Sequence, residues 1–143
     1  MAAASLFLGG RGQDVAKLEA VKTVEISCQN GAVVIRTDTG AAGAGGSLRE
    51  AFEDLEETAA GTVFLETAEY LLITPECRGL LDALWAYLRP SCVVCLLEGE
   101  GDLEKVGTYL DTHQPDITLM DCRAGEEKLP LLLIQEERMR IVF

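Results

Sequence analysis

The sequence predicts one three-layer α/β domain over residues 1–143, with a mostly parallel sheet and an antiparallel edge at its C-terminal end. Apolar runs alternate with helical patterns along nearly the whole chain, as in folds built from strand–helix units. The run "SCVVCLLE", residues 91–98, is continuously apolar, which is typical of a central parallel strand covered on both faces. The last segment, "LPLLLIQEERMRIVF", reads as two strands folded back around residues 135–137. These observations give the fold class and its antiparallel edge.

The first elements follow from local patterns. "ASLFL" and "KTVEISC" predict strands, with a short helix over "DVAKLEAV" between them. Asn30-Gly31 stands between "KTVEISC" and the β-rich "AVVIRTD", and is a strong hairpin signal because a type I′ turn needs two residues at positive φ. Such a hairpin would make this part of the sheet antiparallel.

The glycine-rich stretch "TDTGAAGAGGSLRE" raises the question of a nucleotide site. Its glycines and Ser47 fit the phosphate-loop motif, but Gly46 stands where that motif needs a lysine to contact the phosphates. Ser47 and Glu50 have the spacing of a capping box, which predicts that a helix begins here and continues through "SLREAFEDLEETAA". Residues 39–46 are therefore predicted to be a flexible Gly/Ala loop.

The second half of the chain continues the alternation. "TVFLETAEYLLI" is predicted to be extended, and "DITLMDC" is predicted to be a strand. Two helices are predicted, over "PECRGLLDALWAYLR" and "DLEKVGTYLDTH", the first beginning at Thr74-Pro75 and the second ended by Pro115.

Charge limits the classes of partner. The chain has 12 basic and 24 acidic residues, a formal net charge of −12. Nucleic acids and anionic membranes both attract clustered Lys and Arg, so we expect neither as a partner. A protein with a basic surface fits this charge. The candidate contact surface is the acidic side of the predicted helix, which carries Glu50, Glu53, Asp54 and Glu57.

The five cysteines are odd in number and irregularly spaced, and the N-terminus lacks a signal-peptide pattern, so we expect a cytoplasmic protein with reduced thiols. Cys92 and Cys95 have C-x-x-C spacing, but within a strand they would point to opposite faces as buried core thiols. No second Cys or His pair completes a metal site, so none is predicted. His113, the sole histidine, is assigned to a helix end, and no catalytic residue is predicted.

One glycine cluster supports a cofactor hypothesis. Gly9, Gly10 and Gly12 follow the first predicted strand and precede a helix, where a backbone can approach a cofactor closely. Glu25 follows on the second strand, where an acidic side chain would hold a ribose hydroxyl.

These segments resemble a class I methyltransferase fold: "LFLGGRGQD" its glycine motif, "TVEIS" its second strand, and "ALWAYLRPSCVVCLLE" a later helix, turn and strand. Ser91 and Cys92 replace the two glycines of that turn, and no helix fits between "TVEISC" and "AVVIRTD". The "LRP" turn and "LPLLLIQ" are similar to the shortened N-terminal domain of the anamorsin family, which are cytosolic iron–sulfur assembly factors. The cysteine-rich, cluster-binding tail of that family is absent from this sequence.

The resemblance implies a methyltransferase-like topology and a non-catalytic protein-docking domain without a cofactor, of the kind found in a cytosolic iron–sulfur cluster assembly factor. Two alternatives stay open. One is an S-adenosylmethionine-dependent methyltransferase, with Gly9, Gly10, Gly12 and Glu25 on the cofactor. The other is a structural subunit of a larger complex.

Overall fold

The computed structural model describes residues 18–126 and 128–143. The strands are β1 (Leu18–Ala20), β2 (Thr23–Gln29), β3 (Ala32–Thr37), β4 (Ala42–Gly45), β5 (Thr62–Phe64), β6 (Tyr70–Ile73), β7 (Val93–Glu98), β8 (Leu131–Gln135) and β9 (Arg138–Val142). The helices are α1 (Leu48–Thr58), a 3₁₀ helix (Pro75–Leu80), α2 (Leu81–Leu84), α3 (Leu103–His113) and α4 (Leu119–Arg123). The predicted strand "ASLFL" lies outside the described residues, and the end of the predicted helix "DVAKLEAV" is β1.

Seven strands form one mixed sheet in the order β4-β3-β2-β6-β7-β8-β9, and β1 pairs with β5 separately. Strands β2, β6, β7 and β8 run parallel to one another, whereas β3, β4 and β9 are each antiparallel to a neighbour. The predicted α/β class is confirmed. The prediction of a mostly parallel sheet is wrong, because the hairpins make half of the strand pairings antiparallel. A methyltransferase-like topology is not confirmed by this arrangement.

Two predicted hairpins are confirmed. Asn30 and Gly31 connect β2 to β3 with φ angles of 51° and 81°, as a type I′ turn requires. Glu136 and Glu137 connect β8 to β9 with φ angles of 51° and 66°. Each hairpin has only two residues between its paired strand ends, so the turn fixes which residues face each other across the strands.

Apolar side chains cover both faces of the sheet. One face packs against α1, α2 and α4, and its buried residues include Ile26, Ile73 and Val94. The opposite face packs against α3. The predicted strand over residues 92–97 lies inside the sheet between two parallel neighbours, and Cys92 and Cys95 belong to the opposite core clusters, as strand alternation predicts.

Two predicted elements in the second half differ from the structure. The segment "PECRGLLDALWAYLR" is a 3₁₀ helix followed by a single α-helical turn, so one continuous helix is the wrong prediction. The segment "DITLMDC" is not a strand, because α4 begins within it at a capping box between Thr118 and Asp121. Thr118 still makes one isolated bridge to Val93. The T-x-x-D spacing was the local signal that outweighed the apolar pattern.

Residues 39–46 are not a loop throughout, because Ala42–Gly45 forms the edge strand β4 against β3. Gly43 and Gly45 lie directly on the backbone of α1. A Cβ atom at Gly43 would stand 2.4 Å from the carbonyl oxygen of Ala51. The lack of side chains, which suggested a flexible loop, is what allows this strand to contact a helix so closely.

Side chains of α1 cover the outer edge of β4. The Asp54 carboxylate accepts the Ala44 N–H at 2.9 Å, and Glu50 accepts the Gly46 N–H at 2.9 Å. The Thr58 hydroxyl shares its proton between the carbonyls of Ala42 and Asp54. Residues four apart lie on one side of a helix, so this row of side chains bonds backbone groups that an edge strand otherwise leaves open.

The predicted capping box is half formed. Ser47 accepts the N–H of Glu50 at 3.2 Å, as predicted, whereas the Glu50 carboxylate bonds Gly46 and not Ser47. The helix nevertheless begins where the pattern placed it.

Candidate functional site

A cleft of about 370 Å³ opens toward the carboxyl ends of β2, β6 and β7. In open α/β sheets, ligands bind outside the carboxyl ends of the parallel strands. The lining combines these strands with β3 and the loop after β7, namely Glu25, Ser27, Gln29, Arg36, Thr74, Leu97, Gly99 and Glu100. Position and polarity make it the candidate small-molecule site of the described chain.

An ion pair between buried Glu25 and the partly exposed Arg36 lines this cleft. Glu25 is 5% exposed, and its Oε1 accepts a hydrogen bond from Arg36 Nη1 at 2.9 Å. Arg36 Nη2 also donates to the carbonyl of Gly101 at 3.4 Å, which ties the loop after β7 to the sheet. Burial raises the pKa of Glu25 above its usual value, while the charge of Arg36 and its hydrogen bond oppose that rise. The charges of Glu25 and Arg36 neutralise each other, and either side chain can offer a hydrogen bond to a ligand in the cleft.

The sequence contained the signal for this pair, although it was missed. A two-residue turn at Asn30-Gly31 pairs Gln29 with Ala32, and counting back along both strands sets Glu25 opposite Arg36. Opposite charges directly across an antiparallel pair stabilise it.

We expect a carboxyl ¹³C titration to give Glu25 a pKa above its usual 4.5, because desolvation outweighs the ion pair. Arg36→Leu should raise the pKa further, since only desolvation and the neighbouring acidic charge remain. A folded-state pKa above the unfolded value means that this contribution to stability is present at low pH and lost as the pH rises through the folded pKa. Stability of Arg36→Leu should therefore fall more steeply with pH than that of the wild type.

Arg49→Leu is the matched control, because Arg49 pairs with Glu53 at 3.3 Å on the exposed surface of α1. The Glu25 titration should not change in that variant. A Glu25 pKa that falls in Arg36→Leu would contradict the assigned balance of burial and charge.

One cleft-lining hydroxyl has unused bonding capacity. Within residues 18–126 and 128–143, the Oγ1 atoms of Thr23 and Thr74 are buried without a hydrogen-bond partner. Thr74 precedes the 3₁₀ helix, but its side chain does not cap it. Buried hydroxyls are normally bonded, so Thr74 is an exception beside the cleft.

The structure brings together only part of the predicted cofactor set. Gly9, Gly10 and Gly12 lie outside the described residues. Glu25 lies in the cleft, but it is in the middle of β2 and one carboxylate oxygen is bonded to Arg36. A ribose hydroxyl at this position would have to compete with Arg36 or use the second oxygen.

The four predicted contact residues on α1 divide into two pairs. Glu50 and Asp54 bond the backbone next to and within β4, so they stabilise the fold. Glu53 and Glu57 point outward with Glu56, an exposed residue that the sequence analysis missed. We call Glu53, Glu56 and Glu57 the acidic ridge.

Cys28 and Cys77 form a disulfide that joins β2 to the 3₁₀ helix. The prediction of five reduced thiols is therefore wrong for this pair, whose separation of 49 residues gave no sequence signal. The predicted cytoplasmic location stays a prediction and loses this support. Cys92 and Cys95 are free and buried, and burial raises the pKa of both thiols to about 12.

His113 ends α3, as predicted, with its ring stacked on Tyr109 at 3.8 Å between centroids. Among the described residues, no group of three or more His, Cys, Asp or Glu side chains lies close enough to hold a metal ion.

Comparison of the chain with protein-family models, curated proteins and solved structures found no match. No helix in the described part of the chain is long and apolar enough to cross a membrane.

Proposed function

We propose that this chain is a non-catalytic protein-docking domain that binds a basic protein surface through the acidic ridge. The observation that supports this proposal is the exposure of Glu53, Glu56 and Glu57 along one side of α1. Of these three glutamates, only Glu53 has a cationic partner among the described residues, namely Arg49, and the chain has a net charge of −12. A basic partner would supply the missing counter-charge.

The helix that carries the acidic ridge is held firmly against the sheet. Helix α1 is held by the close contact with Gly43 and by the bonds from Glu50 and Asp54 to the backbone of the neighbouring strand. A preorganised surface loses little conformational freedom when it binds, and complementary charge speeds association and selects partners.

A more specific form of the proposal places this domain in a cytosolic iron–sulfur assembly factor. Its support is the resemblance of the "LRP" turn and of the closing segment "LPLLLIQ" to the anamorsin N-terminal domain. In this form the domain docks a partner and carries no cluster itself.

The test is charge reversal of the ridge, in the triple variant Glu53→Lys/Glu56→Lys/Glu57→Lys. Proteins captured from cell extract by the wild-type chain are identified, and the binding of each purified candidate is measured at low and high salt. Binding to the true partner should weaken by about tenfold or more in the variant, and the wild-type interaction should weaken as salt rises.

The control triple is Glu66→Lys/Glu76→Lys/Asp116→Lys, which changes the net charge equally at exposed sites away from α1. It should retain most of the binding. If both triple variants lose binding equally, net charge alone attracts the partner. If the ridge variant binds as well as the wild type, the acidic ridge is not the contact surface.

The methyltransferase alternative is favoured by one observation, the position of Glu25 in a cleft at the carboxyl ends of parallel strands. Calorimetric titration of S-adenosylmethionine separates the two functions. Micromolar binding that is lost in Glu25→Gln, with the circular dichroism spectrum unchanged, would make the enzyme the first candidate. If the chain is a docking domain, titration with S-adenosylmethionine should give no heat of binding.

A further inference from the structure

The two edge strands of the seven-stranded sheet differ in whether other groups bond their outer sides. At one edge, β4 is covered by Glu50, Asp54 and Thr58 of α1. At the other edge, β9 pairs with β8 alone. In the described part of the chain, no group outside this hairpin bonds the free side of β9. An uncovered edge presents backbone donors and acceptors to any extended chain that approaches it.

The hairpin register identifies these backbone groups. Gln135 and Arg138 close the two-residue turn, so they form a hydrogen-bonded pair. Hydrogen-bonded and non-bonded pairs alternate in an antiparallel ladder, which turns the N–H and C=O groups of Met139 and Ile141 toward the open edge. Two residues of β9 thus offer a donor and an acceptor each.

The side chains of β9 alternate between two environments. Met139 and Ile141 are half-buried and pack against the core beneath α3. Arg138, Arg140 and Val142 are exposed on the opposite face. This second face borders a groove of about 730 Å³ along the β8–β9 hairpin, whose lining includes Leu133, Glu136 and both arginines.

The two arginines have no acidic partner among residues 18–126 and 128–143. They lie two apart on one strand, so their guanidinium groups project from the same face. In a chain with a net charge of −12, they are two cations on an edge of the seven-stranded sheet that no described residue covers, next to Glu136 and Glu137 of the turn.

We propose that the open edge of β9 binds an extended acidic segment of a partner protein by strand addition. The added strand bonds the backbone of Met139 and Ile141, and its acidic side chains at alternate positions pair with Arg138 and Arg140. Backbone bonds supply affinity in this mode, and the side chains select the sequence. This surface lies at the opposite end of the sheet from the acidic ridge and binds the opposite charge, so each proposal can fail alone.

A second copy of this chain is disfavoured in two of the antiparallel registers that the open edge allows. An antiparallel pair of β9 strands centred on Met139 or Arg140 sets arginines of the two copies directly opposite each other, and like charges in that position are destabilising. A nucleic acid would find only two cations on this strand, too few for the clustered Lys and Arg contacts that binding to its phosphates needs.

The test measures binding of a fluorescein-labelled peptide that alternates glutamate with valine. Control peptides carry lysine in place of glutamate, or N-methyl groups on alternate backbone nitrogens, which block strand pairing without altering the protein. We expect the glutamate peptide to bind and to protect the Met139 and Ile141 amides from hydrogen exchange. Both control peptides should bind about tenfold or more weakly.

The protein variant is Arg138→Glu/Arg140→Glu, compared with Lys128→Glu/Arg123→Glu, which makes the same charge change away from β9. Only the first should reverse the preference, so that the lysine peptide binds better. Three outcomes would overturn the proposal: equal binding of N-methylated and unmodified peptides, a dimer in sedimentation that depends on β9, or tighter binding of a single-stranded oligonucleotide than of the glutamate peptide.

Discussion

Replacing Gly43 by alanine is expected to lower the free energy of unfolding by about 3 kcal/mol, the upper part of the range for overpacked sites. The new Cβ would stand 2.4 Å from the Ala51 carbonyl oxygen and 2.5 Å from the Leu55 backbone nitrogen. These atoms belong to the backbone of α1 and cannot rotate away as a side chain can. Strand β4 would have to separate from the helix, with loss of the Asp54 and Thr58 bonds. Urea unfolding of the two proteins measures the difference.

Gly79→Ala is the matched control. A Cβ at Gly79, in the 3₁₀ helix, would meet no atom within 4 Å. Its stability should stay close to that of the wild type or rise slightly, because alanine restricts the unfolded chain. Equal stability of Gly43→Ala and the wild type would show that β4 tolerates displacement, as the flexible-loop prediction assumed.

The misreading of Gly43 has a physical cause. A run of glycine and alanine has two opposite explanations: a chain with nothing to pack, or a chain that must approach another backbone closely. The periodicity of the sequence shows only that large side chains are missing, and it does not distinguish the two explanations. The second explanation depends on Ala51, eight residues later on α1, whose carbonyl faces the strand only after the fold has formed.

Elements set by local chemistry were predictable. Asn30-Gly31 fixed the first hairpin, and the unbroken apolar run fixed β7 as an interior strand. The ion pair of the candidate cleft was predictable too, because the turn sets Glu25 against Arg36. The roles of Glu50 and Asp54 were not predictable in this way, because these side chains bond the backbone at a segment that was predicted to be a flexible loop.

Reduction of the Cys28–Cys77 disulfide is expected to lower the free energy of unfolding by about 4 kcal/mol, the loop-entropy estimate for a cross-link across 49 residues. The oxidised unfolded chain is held in a closed loop that spans β3, β4, α1, β5 and β6. Opening the bond frees this loop in the unfolded state. Comparing oxidised and reduced wild type keeps every side chain in place, so the difference isolates the cross-link from the packing of the buried Cys77.

Thiol counting in denaturant establishes the starting state: three free thiols per chain before reduction and five after it. The variant Cys122→Ala should show the same loss on reduction, because Cys122 is outside the disulfide. Five thiols without reductant would contradict the pairing, and an unchanged urea midpoint after reduction would contradict its contribution.

The acidic ridge lies inside this loop, on α1, while β9 lies beyond it. Any effect of reduction on binding should therefore be larger at the ridge than at the open edge.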